Sequence, residues 1–349
     1  MTDVLVNPLR GKGLAGLNFL PKDDPREVSH LIGQCPVHLQ TPMLNLPDLA
    51  KQIGVAQLMV KDERARMALG SFKALGAAYA IAREASEQVQ NGAWDQALVG
   101  RTYIAASAGN HGLSVAAGAR VFGAKAVIYL ARTVPEAFAE RLRAKGASVV
   151  RAGKTYEESM TAAETAADAG EGILLSDGSW PGYVELPTRV MEGYLKLAAE
   201  AATQMDAPPT LIVLQAGVGG LAAAVAAYAR RVWGDAPKII VVEPDVAPAL
   251  IESVRAQKVV TTEGPVSLMG RLDCKTPSMV ALAGLARDAD LFVTISEEEA
   301  QDGVGALEAQ GIATTPSGGA GIAALLAGRP KLDADARVLA ILSEGPEDA

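Results

Sequence analysis

The chain has 349 residues, of which 49% are hydrophobic and 21% charged, and its formal net charge is −8. This composition is typical of a soluble globular protein large enough for two lobes. The acidic balance argues against nucleic acid and anionic membranes as partners. Cys35, Cys274 and three dispersed histidines do not form a ligand pattern, so no metal is predicted. The segment 1–21 lacks a signal-peptide pattern and no apolar run is long enough to span a bilayer, which predicts a cytoplasmic protein.

Strands and helices alternate along most of the chain, with short turns between them. After a helix-forming run at 74–83, strands are predicted at 103–106, 126–130, 148–151 and 173–175, with helices at 113–122, 135–145 and 156–167. A second series has helices at 189–204 and 221–232, strands at 210–214, 239–242, 291–294 and 338–342, and a helix beginning at Ser296. Such alternation predicts an α/β fold with mostly parallel sheets and helices on both faces, giving three-layer αβα lobes.

Lys73 ends the stretch Gly70-Ser71-Phe72-Lys73 and stands where a helix is predicted to begin. The positive end of the helix dipole is expected to lower the pKa of its amine, which favours Schiff-base formation at neutral pH. Taken alone, such a lysine is more often a solvated surface residue.

The stretch Gly217-Val218-Gly219-Gly220 follows an apolar strand and opens an alanine-rich helix. Glycines let the backbone approach an anion, and free N–H groups at the helix start can bind it. A cofactor phosphate, the pyrophosphate of a dinucleotide and a simple tight turn are the three alternatives. The spacing is not G-x-G-x-x-G and the loop lies in the second half of the chain, which argues against a dinucleotide.

Two further motifs follow predicted strands, where ligands bind in parallel sheets. Ser107-Ala108-Gly109-Asn110-His111-Gly112 precedes a helix and can bind a carboxylate, although an ordinary Gly-Asn turn is the alternative. His111 could act as an acid or base, but a structural role in the loop is favoured. Ser343 follows the last strand and could bind a ligand or cap a turn.

An amine, a polar loop, an anion cradle and a hydroxyl are together the groups that hold pyridoxal 5′-phosphate (PLP). Lys73 would bind it covalently beside Phe72, the 217–220 loop would bind its phosphate, and Asn110 would donate to its phenolate oxygen. Ser343 would bond to the pyridine nitrogen. A hydroxyl cannot stabilise a full pyridinium as a carboxylate does, so elimination is favoured over transamination.

The order of these motifs resembles the fold-type II PLP enzymes, the group of the tryptophan synthase β-subunit and threonine dehydratase. From about Pro42 onward the chain resembles the diaminopropionate ammonia-lyases in particular, in the stretches 60–63, 72–82, 177–183, 214–219, 242–245 and 269–274. The resemblance implies a large PLP-binding domain (1–95 plus 186–349), a small domain (96–185), PLP in the cleft between them, and a homodimer.

The resemblance also implies a reaction, the elimination of ammonia from 2,3-diaminopropionate to give pyruvate and a second ammonia. Lys73 would act as the base on one face of this small amino acid. Asp177 matches a family carboxylate placed on the other side, where it could serve the opposite enantiomer. The alternative for Asp177 is a turn residue before Gly178.

The chain departs from that family at several positions. Ala108 stands where the family usually has an aspartate, and the resulting Ser-Ala-Gly-Asn-His stretch also resembles threonine and serine dehydratases. The segment 316–320 replaces a more acidic loop of the family. Arg271, Asp273 and Lys275 add charges that could bind a different side chain or be solvated. Alternatives are therefore a serine, threonine or 3-hydroxyaspartate dehydratase, a β-replacement synthase, or a non-enzymatic dinucleotide- or ligand-binding protein.

Overall fold

A computed structural model describes residues 3–346 of the chain. In chain order its strands are β1 (Val4–Val6), β2 (Met43–Asn45), β3 (Gln57–Asp62), β4 (Thr102–Ala106), β5 (Lys125–Leu130), β6 (Ser148–Arg151), β7 (Ile173–Leu174), β8 (Leu211–Gln215), β9 (Lys238–Pro244), β10 (Leu291–Ile295) and β11 (Arg337–Leu342). Its helices are α1 (Arg26–Gly33), α2 (Pro47–Ile53), α3 (Lys73–Gln88), α4 (Asn110–Val121), α5 (Glu136–Ala144), α6 (Tyr156–Asp168), α7 (Glu185–Gly193), α8 (Leu195–Gln204), α9 (Gly220–Trp233), α10 (Ala249–Ala256), α11 (Met279–Asp288), α12 (Glu297–Glu308) and α13 (Pro316–Leu326).

The strands form two sheets. The larger has the order β1-β10-β9-β8-β11-β3-β2, and the smaller has the order β6-β5-β4-β7. All pairs of the smaller sheet are parallel, and the larger is parallel except where β1 meets β10 and β2 meets β3 at its edges. The predicted α/β fold with mostly parallel sheets is confirmed. Parallel strands end at the same edge of a sheet, so the loops that follow them are gathered there.

The central strands are buried on both faces. Every residue of β8 is buried, and the adjoining helix α9 buries a nearly continuous row of alanines. Strands of this kind appear in the sequence as continuous apolar runs, because helices cover both sides of the sheet. This is the reason that the predicted strands from 102 onward coincide with observed ones.

The structure contains elements that were not predicted, in the first hundred residues and between 249 and 326, and it also differs around Tyr194. The unpredicted elements are the strands β1–β3 and the helices α1, α2, α10, α11 and α13; β1 and β2 have three residues each, too few for a usable periodicity. The single helix predicted at 189–204 is two helices that meet at Tyr194. Gly193 lies so close to α3 that a Cβ there would be 2.5 Å from the Leu75 carbonyl oxygen.

The smaller sheet is built from strands between 102 and 174, and the larger from strands on either side of that segment. The domain boundaries inferred above stay predictions, and residues 1–2 and 347–349 lie outside the described residues. Among the helices found within residues 3–346, none is both long and apolar enough to cross a membrane.

Candidate functional site

Lys73 is brought beside the end of β11 by backbone contacts. It is the first residue of α3, and the preceding Phe72 donates its N–H to the Ser343 carbonyl oxygen at 3.0 Å. Ser71 forms an isolated bridge with Glu344, which continues this pairing. The amine and the hydroxyl predicted from distant parts of the chain therefore lie on neighbouring backbone segments.

The Lys73 amine donates to Oδ2 of Asp177, which follows β7 of the smaller sheet. The two side chains are 20% and 21% exposed, so the pair is partly accessible to solvent. Burial opposes charge on both groups, but each charge stabilises the other. The result is a raised pKa for Lys73 and a pKa for Asp177 held well below its usual range.

The expectation that the helix dipole lowers the pKa of Lys73 is therefore wrong for this ion pair. A full negative charge in contact outweighs the partial charge of a helix end. The amine is held as an ammonium at neutral pH, with Asp177 as its counter-ion. The ammonium must lose a proton before its nitrogen can attack a carbonyl carbon.

Tyr194 forms an aromatic wall beside Lys73 together with Phe72, and it was not predicted as a site residue. Its ring packs edge-on against Phe72 with centroids 4.9 Å apart, and the Lys73 Nζ lies 5.4 Å from the Phe72 centroid. Burial raises the pKa of Tyr194 to about 12, so its hydroxyl stays neutral. A Cβ at Gly220 would be 3.5 Å from the same tyrosine ring, which links this wall to the glycine loop. In a sequence, a tyrosine within a helical apolar pattern is indistinguishable from an ordinary core residue.

The glycine loop 217–220 joins β8 to α9 and fits a phosphate. Gly219 has φ +97°, a conformation that favours glycine, and a Cβ at Gly217 would be 2.9 Å from Cys274 Sγ. Within the described part of the chain no side chain caps α9. The N–H groups of its first turn and the positive end of its dipole are therefore directed toward this loop, where an anion would bind.

The polar loop between β4 and α4 is held in shape by Ser107. Its Oγ accepts the N–H groups of Gly109 (3.2 Å) and Gly112 (3.0 Å). Asn110 donates from Nδ2 to Oε2 of Glu344 at 2.5 Å. His111 places Nε2 2.8 Å from the Leu175 carbonyl oxygen, and burial lowers its pKa, so the ring is neutral and engaged with the smaller sheet. This contact agrees with the structural role favoured for His111.

Glu344 and Arg271 also reach this loop. Glu344 is buried, and its carboxylate accepts from Thr315 Oγ1 at 2.5 Å as well as from Asn110. Arg271 donates from Nη1 to the Ala108 carbonyl oxygen at 3.1 Å. Both residues line a cavity of about 330 Å³. Glu344 stands next to Ser343 in the sequence, but no feature of the sequence indicated its contact with Asn110.

The structure thus places Lys73 beside Asp177 and next to the segment that contains Ser343, and it places Asn110 against Glu344. The segments that follow strands of the larger sheet contain Phe72, Lys73 and Ser343. Those that follow strands of the smaller sheet contain Asn110 and Asp177. The glycine loop adjoins them through Tyr194 and Cys274. An amine with a proton acceptor, an open helix N-terminus and a hydroxyl at a strand end are the groups that PLP requires. The individual roles assigned to these residues stay predictions.

Comparisons with known proteins agree with this site. The family model for pyridoxal-phosphate dependent enzymes matches residues 35–344. Diaminopropionate ammonia-lyase of Salmonella typhimurium is 31% identical, over 95% of this chain and 91% of that protein. The L-serine dehydratase/L-threonine deaminase of Homo sapiens is 28% identical, over 83% of each. The crystal structure of diaminopropionate ammonia lyase from Escherichia coli in complex with D-serine has a TM-score of 0.89 at 28% identity and covers 100% of this chain and 95% of that one.

Proposed function

The chain belongs to the pyridoxal-phosphate dependent enzymes, in the family of the diaminopropionate ammonia-lyases, and we propose that it eliminates ammonia from 2,3-diaminopropionate. The products would be pyruvate and two ammonia molecules. The observation that carries this proposal is the pairing of Lys73 with Asp177 at the cleft, beside the glycine loop. When bound, PLP supplies the electron sink that makes the Cα proton of an amino acid removable.

Two adjacent proton-transfer groups suit this reaction. Lys73 would hold the cofactor and then accept the Cα proton on one face of the substrate, and Asp177 would serve the other face. Such groups contribute about 10²- to 10⁴-fold to a rate when they are within hydrogen-bond reach. Because an amine is a good leaving group only when protonated, the proton must pass to the β-nitrogen, and the same pair is placed to deliver it.

The rest of the site would orient the cofactor. The first turn of α9 would bind the phosphate, Asn110 would turn from Glu344 to the phenolate oxygen, and the Ser343 hydroxyl would bond to the pyridine nitrogen. The loop 107–111 would bind the carboxylate of the amino acid. Support for a homodimer and a cytoplasmic location comes only from the resemblance and the sequence, and sedimentation of the purified protein tests the first.

A dehydratase is the second candidate, and Ala108 is the observation that favours it. Without the family's aspartate at this position, the site has one proton acceptor fewer and one group fewer for a substrate ammonium. Serine, threonine and 3-hydroxyaspartate have no β-ammonium group, so they would not need a carboxylate at this position to bind one. A β-replacement synthase would need a second nucleophile, and its product would change when a thiol or amine is added.

The test offers purified holoprotein D- and L-2,3-diaminopropionate, serine, threonine and 3-hydroxyaspartate, and measures keto acid and ammonia. Two ammonia molecules per pyruvate from either diaminopropionate isomer support the proposal. One ammonia per keto acid from a hydroxy amino acid, with no reaction of diaminopropionate, supports the dehydratase. A protein that binds PLP without forming keto acid from any of these substrates would contradict both.

A further inference from the structure

Two buried serine hydroxyls join the segment that contains Asp177 to helix α11. The Oγ atoms of Ser179 and Ser278 lie 2.7 Å apart, and the two residues are 5% and 1% exposed. Ser179 stands two residues after Asp177, in the segment that follows β7 of the smaller sheet. Ser278 immediately precedes α11, which packs against α9, the helix that follows β8 of the larger sheet. The hydroxyl pair therefore connects structure built on the two different sheets.

Ser179 also supplies acceptors to the first turn of α11. Its carbonyl oxygen accepts the Met279 N–H at 3.0 Å, and its Oγ accepts the Val280 N–H at 2.9 Å. Within residues 3–346, the Ser278 side chain at the N-cap position makes no capping bond of its own. Because the N–H groups at a helix start need partners from outside the helix, Ser179 caps α11 from a distant part of the chain. These bonds fix the backbone of Ser179 and, with it, that of the nearby Asp177.

Ser278 contacts the glycine loop as well. Its N–H donates to the Val218 carbonyl oxygen at 3.0 Å. A Cβ at Gly219 would lie 3.1 Å from the Cβ of Ala281, so α11 packs directly against this loop. Ser278 is thus bonded on one side to the loop that fits a phosphate and on the other side to the Asp177 segment.

Other hydrogen bonds hold the Asp177 segment on the side of the smaller sheet. The Tyr183 hydroxyl donates to the Leu174 carbonyl oxygen at 2.8 Å and accepts the Ser176 N–H at 3.0 Å. The backbone before Asp177 is therefore tied to the end of β7, and the backbone after it is tied to α11 through Ser179. Of these two attachments, only the second reaches the glycine loop.

We propose that Ser179 and Ser278 are positioning residues, whose paired hydroxyls hold Asp177 against Lys73 and fix this ion pair relative to the glycine loop. The part that Asp177 plays in proton transfer rests on the proposed function; the groups that hold it in place are added here. A hydroxyl pair suits this task, because a hydrogen bond between buried groups is stronger than the same bond in water.

The test measures how fast acetic anhydride labels the Lys73 amine of the cofactor-free protein as a function of pH, with mass spectrometry as the readout. Only an uncharged amine reacts, so the pH profile reports the charge state that Asp177 imposes. The exposed Lys51 is the reference within each sample. Other titratable groups near the ion pair stay unchanged in every variant: His111, Tyr156, Tyr194 and Cys274.

Five variants are compared with the wild type: Ser179→Ala, Ser278→Ala, the double variant, Asp177→Asn and Ser253→Ala. Asp177→Asn gives the full effect of losing the counter-ion. Ser253 is the matched control, since it is a buried serine whose Oγ makes hydrogen bonds of 2.6 and 2.9 Å to backbone atoms of α10 and the segment after it. Its replacement removes similar bonds at a place that the hydroxyl pair does not touch.

We expect Ser179→Ala to move the Lys73 profile to lower pH, so that labelling at a given pH is about 2- to 10-fold faster, the contribution of about one hydrogen bond. Ser278→Ala should move the profile in the same direction. The double variant should move it no further than Ser179→Ala, because both replacements break the same bond. Asp177→Asn should move it furthest, and Ser253→Ala should leave it in place.

A profile that stays at the wild-type position in both single variants would overturn the inference. A rate that changes by the same factor at every pH would also overturn it, since this would show altered access to the amine rather than an altered charge. If Ser179→Ala does not fold, Ser278→Ala decides, because it breaks the same bond and leaves the Asp177 segment unaltered.

This inference and the proposed function can fail separately, because labelling needs neither cofactor nor substrate. If the wild-type holoprotein eliminates ammonia from diaminopropionate while the serine variants keep the wild-type profile, only the inference is overturned. If the profile moves as expected while the wild-type holoprotein forms no keto acid from diaminopropionate, the hydroxyl pair positions the ion pair and the ammonia-lyase proposal falls.

Discussion

Lys61 and Lys73 both have an amine beside a carboxylate, but the two amines differ in how many of their N–H donors form hydrogen bonds. The Lys61 amine donates to three acceptors at 2.7–2.9 Å, the Thr41 carbonyl oxygen, Glu200 and Gln204. An ammonium has three N–H donors, so all of them are used. Lys73 is 20% exposed at the cleft and pairs with Asp177.

The two lysines also differ in the charged groups around them and in the direction of their pKa shifts. Lys61 belongs to a buried network in which Arg66 bonds to Glu63 and Glu200, and Lys196 lies 3.9 Å from Glu200, so three cations meet two anions. Burial lowers the pKa of Lys61 in spite of Glu200, whereas Asp177 raises that of Lys73 against the same opposing effect of burial. A saturated network can only hold the fold together. A pair that faces a cleft can exchange a proton with a ligand.

Replacing Lys73 should have the largest effect of any substitution. Lys73→Ala removes the amine proposed to hold the cofactor, so turnover should fall by more than about 10⁴-fold and the visible absorption of the bound cofactor should disappear. Lys73→Arg is the control, because it keeps the charge beside Asp177 but cannot bind the cofactor covalently. Retention of the absorption band in Lys73→Ala would instead indicate a non-covalent binding protein.

Replacing Asp177 should come next. Asp177→Asn removes one proton acceptor, and we expect kcat to fall by about 10²- to 10⁴-fold for one enantiomer of the substrate more than for the other. Asp168→Asn, at an exposed position of α6, is the control and should leave kcat unchanged. Equal kcat values for wild type and Asp177→Asn on both enantiomers would make Asp177 a turn residue.

The same variant tests the charge state of Lys73 in the cofactor-free protein. With Asp177 absent, burial is the largest remaining effect on the amine and lowers its pKa, so PLP should react with it at lower pH than in the wild type. The raised pKa of Lys73 stabilises the fold below 10.5, its ordinary value, and the lowered pKa of Asp177 stabilises it above 3.8. The difference in thermal stability between apo wild type and apo Asp177→Asn should therefore be largest between these values and shrink outside them.

Breaking the Lys61 network should reduce stability rather than catalysis. Glu200→Gln leaves Lys61 and Arg66 short of a buried negative charge, so the free energy of unfolding should fall by about 3–5 kcal/mol. Glu185→Gln removes an exposed partner of Arg189 and should cost less than about 1 kcal/mol. The measurement is denaturant unfolding of the cofactor-free protein. A normal stability with lost turnover in Glu200→Gln would place this network in the catalytic site.

Ser343→Ala should have the smallest effect. The variant would remove the hydrogen bond proposed between the Ser343 hydroxyl and the pyridine nitrogen, which is neutral and worth about 0.5–1.5 kcal/mol, so kcat should fall by about 2- to 10-fold. The cofactor absorption should shift while the protein still binds it. An unchanged kcat and spectrum would mean that the hydroxyl only ends the strand.

Much of the site could be predicted because its signals are local. Each predicted site segment follows or precedes an apolar run in the sequence: Lys73 at a helix start, the 107–112 and 217–220 loops, and Ser343. Glycine at such a position indicates a turn or a loop. The parallel sheets followed from continuous buried strands for the same reason. Tyr194, Glu344 and the contact of Arg271 with Ala108 could not be predicted, since each depends on segments that are far apart in the chain.

By itself the sequence determined the class of fold, the order of the motifs and the chemistry of the cofactor they suit, because helix starts, strand ends and glycine loops are set by neighbouring residues. Only the tertiary structure decided how these groups act. It made Lys73 an ammonium by placing Asp177 against it, although the helix position alone predicted a lowered pKa. It also placed Arg271 against the Ala108 carbonyl oxygen. Electrostatic effects of this kind depend on the distance between charges and on their burial, and packing alone sets both.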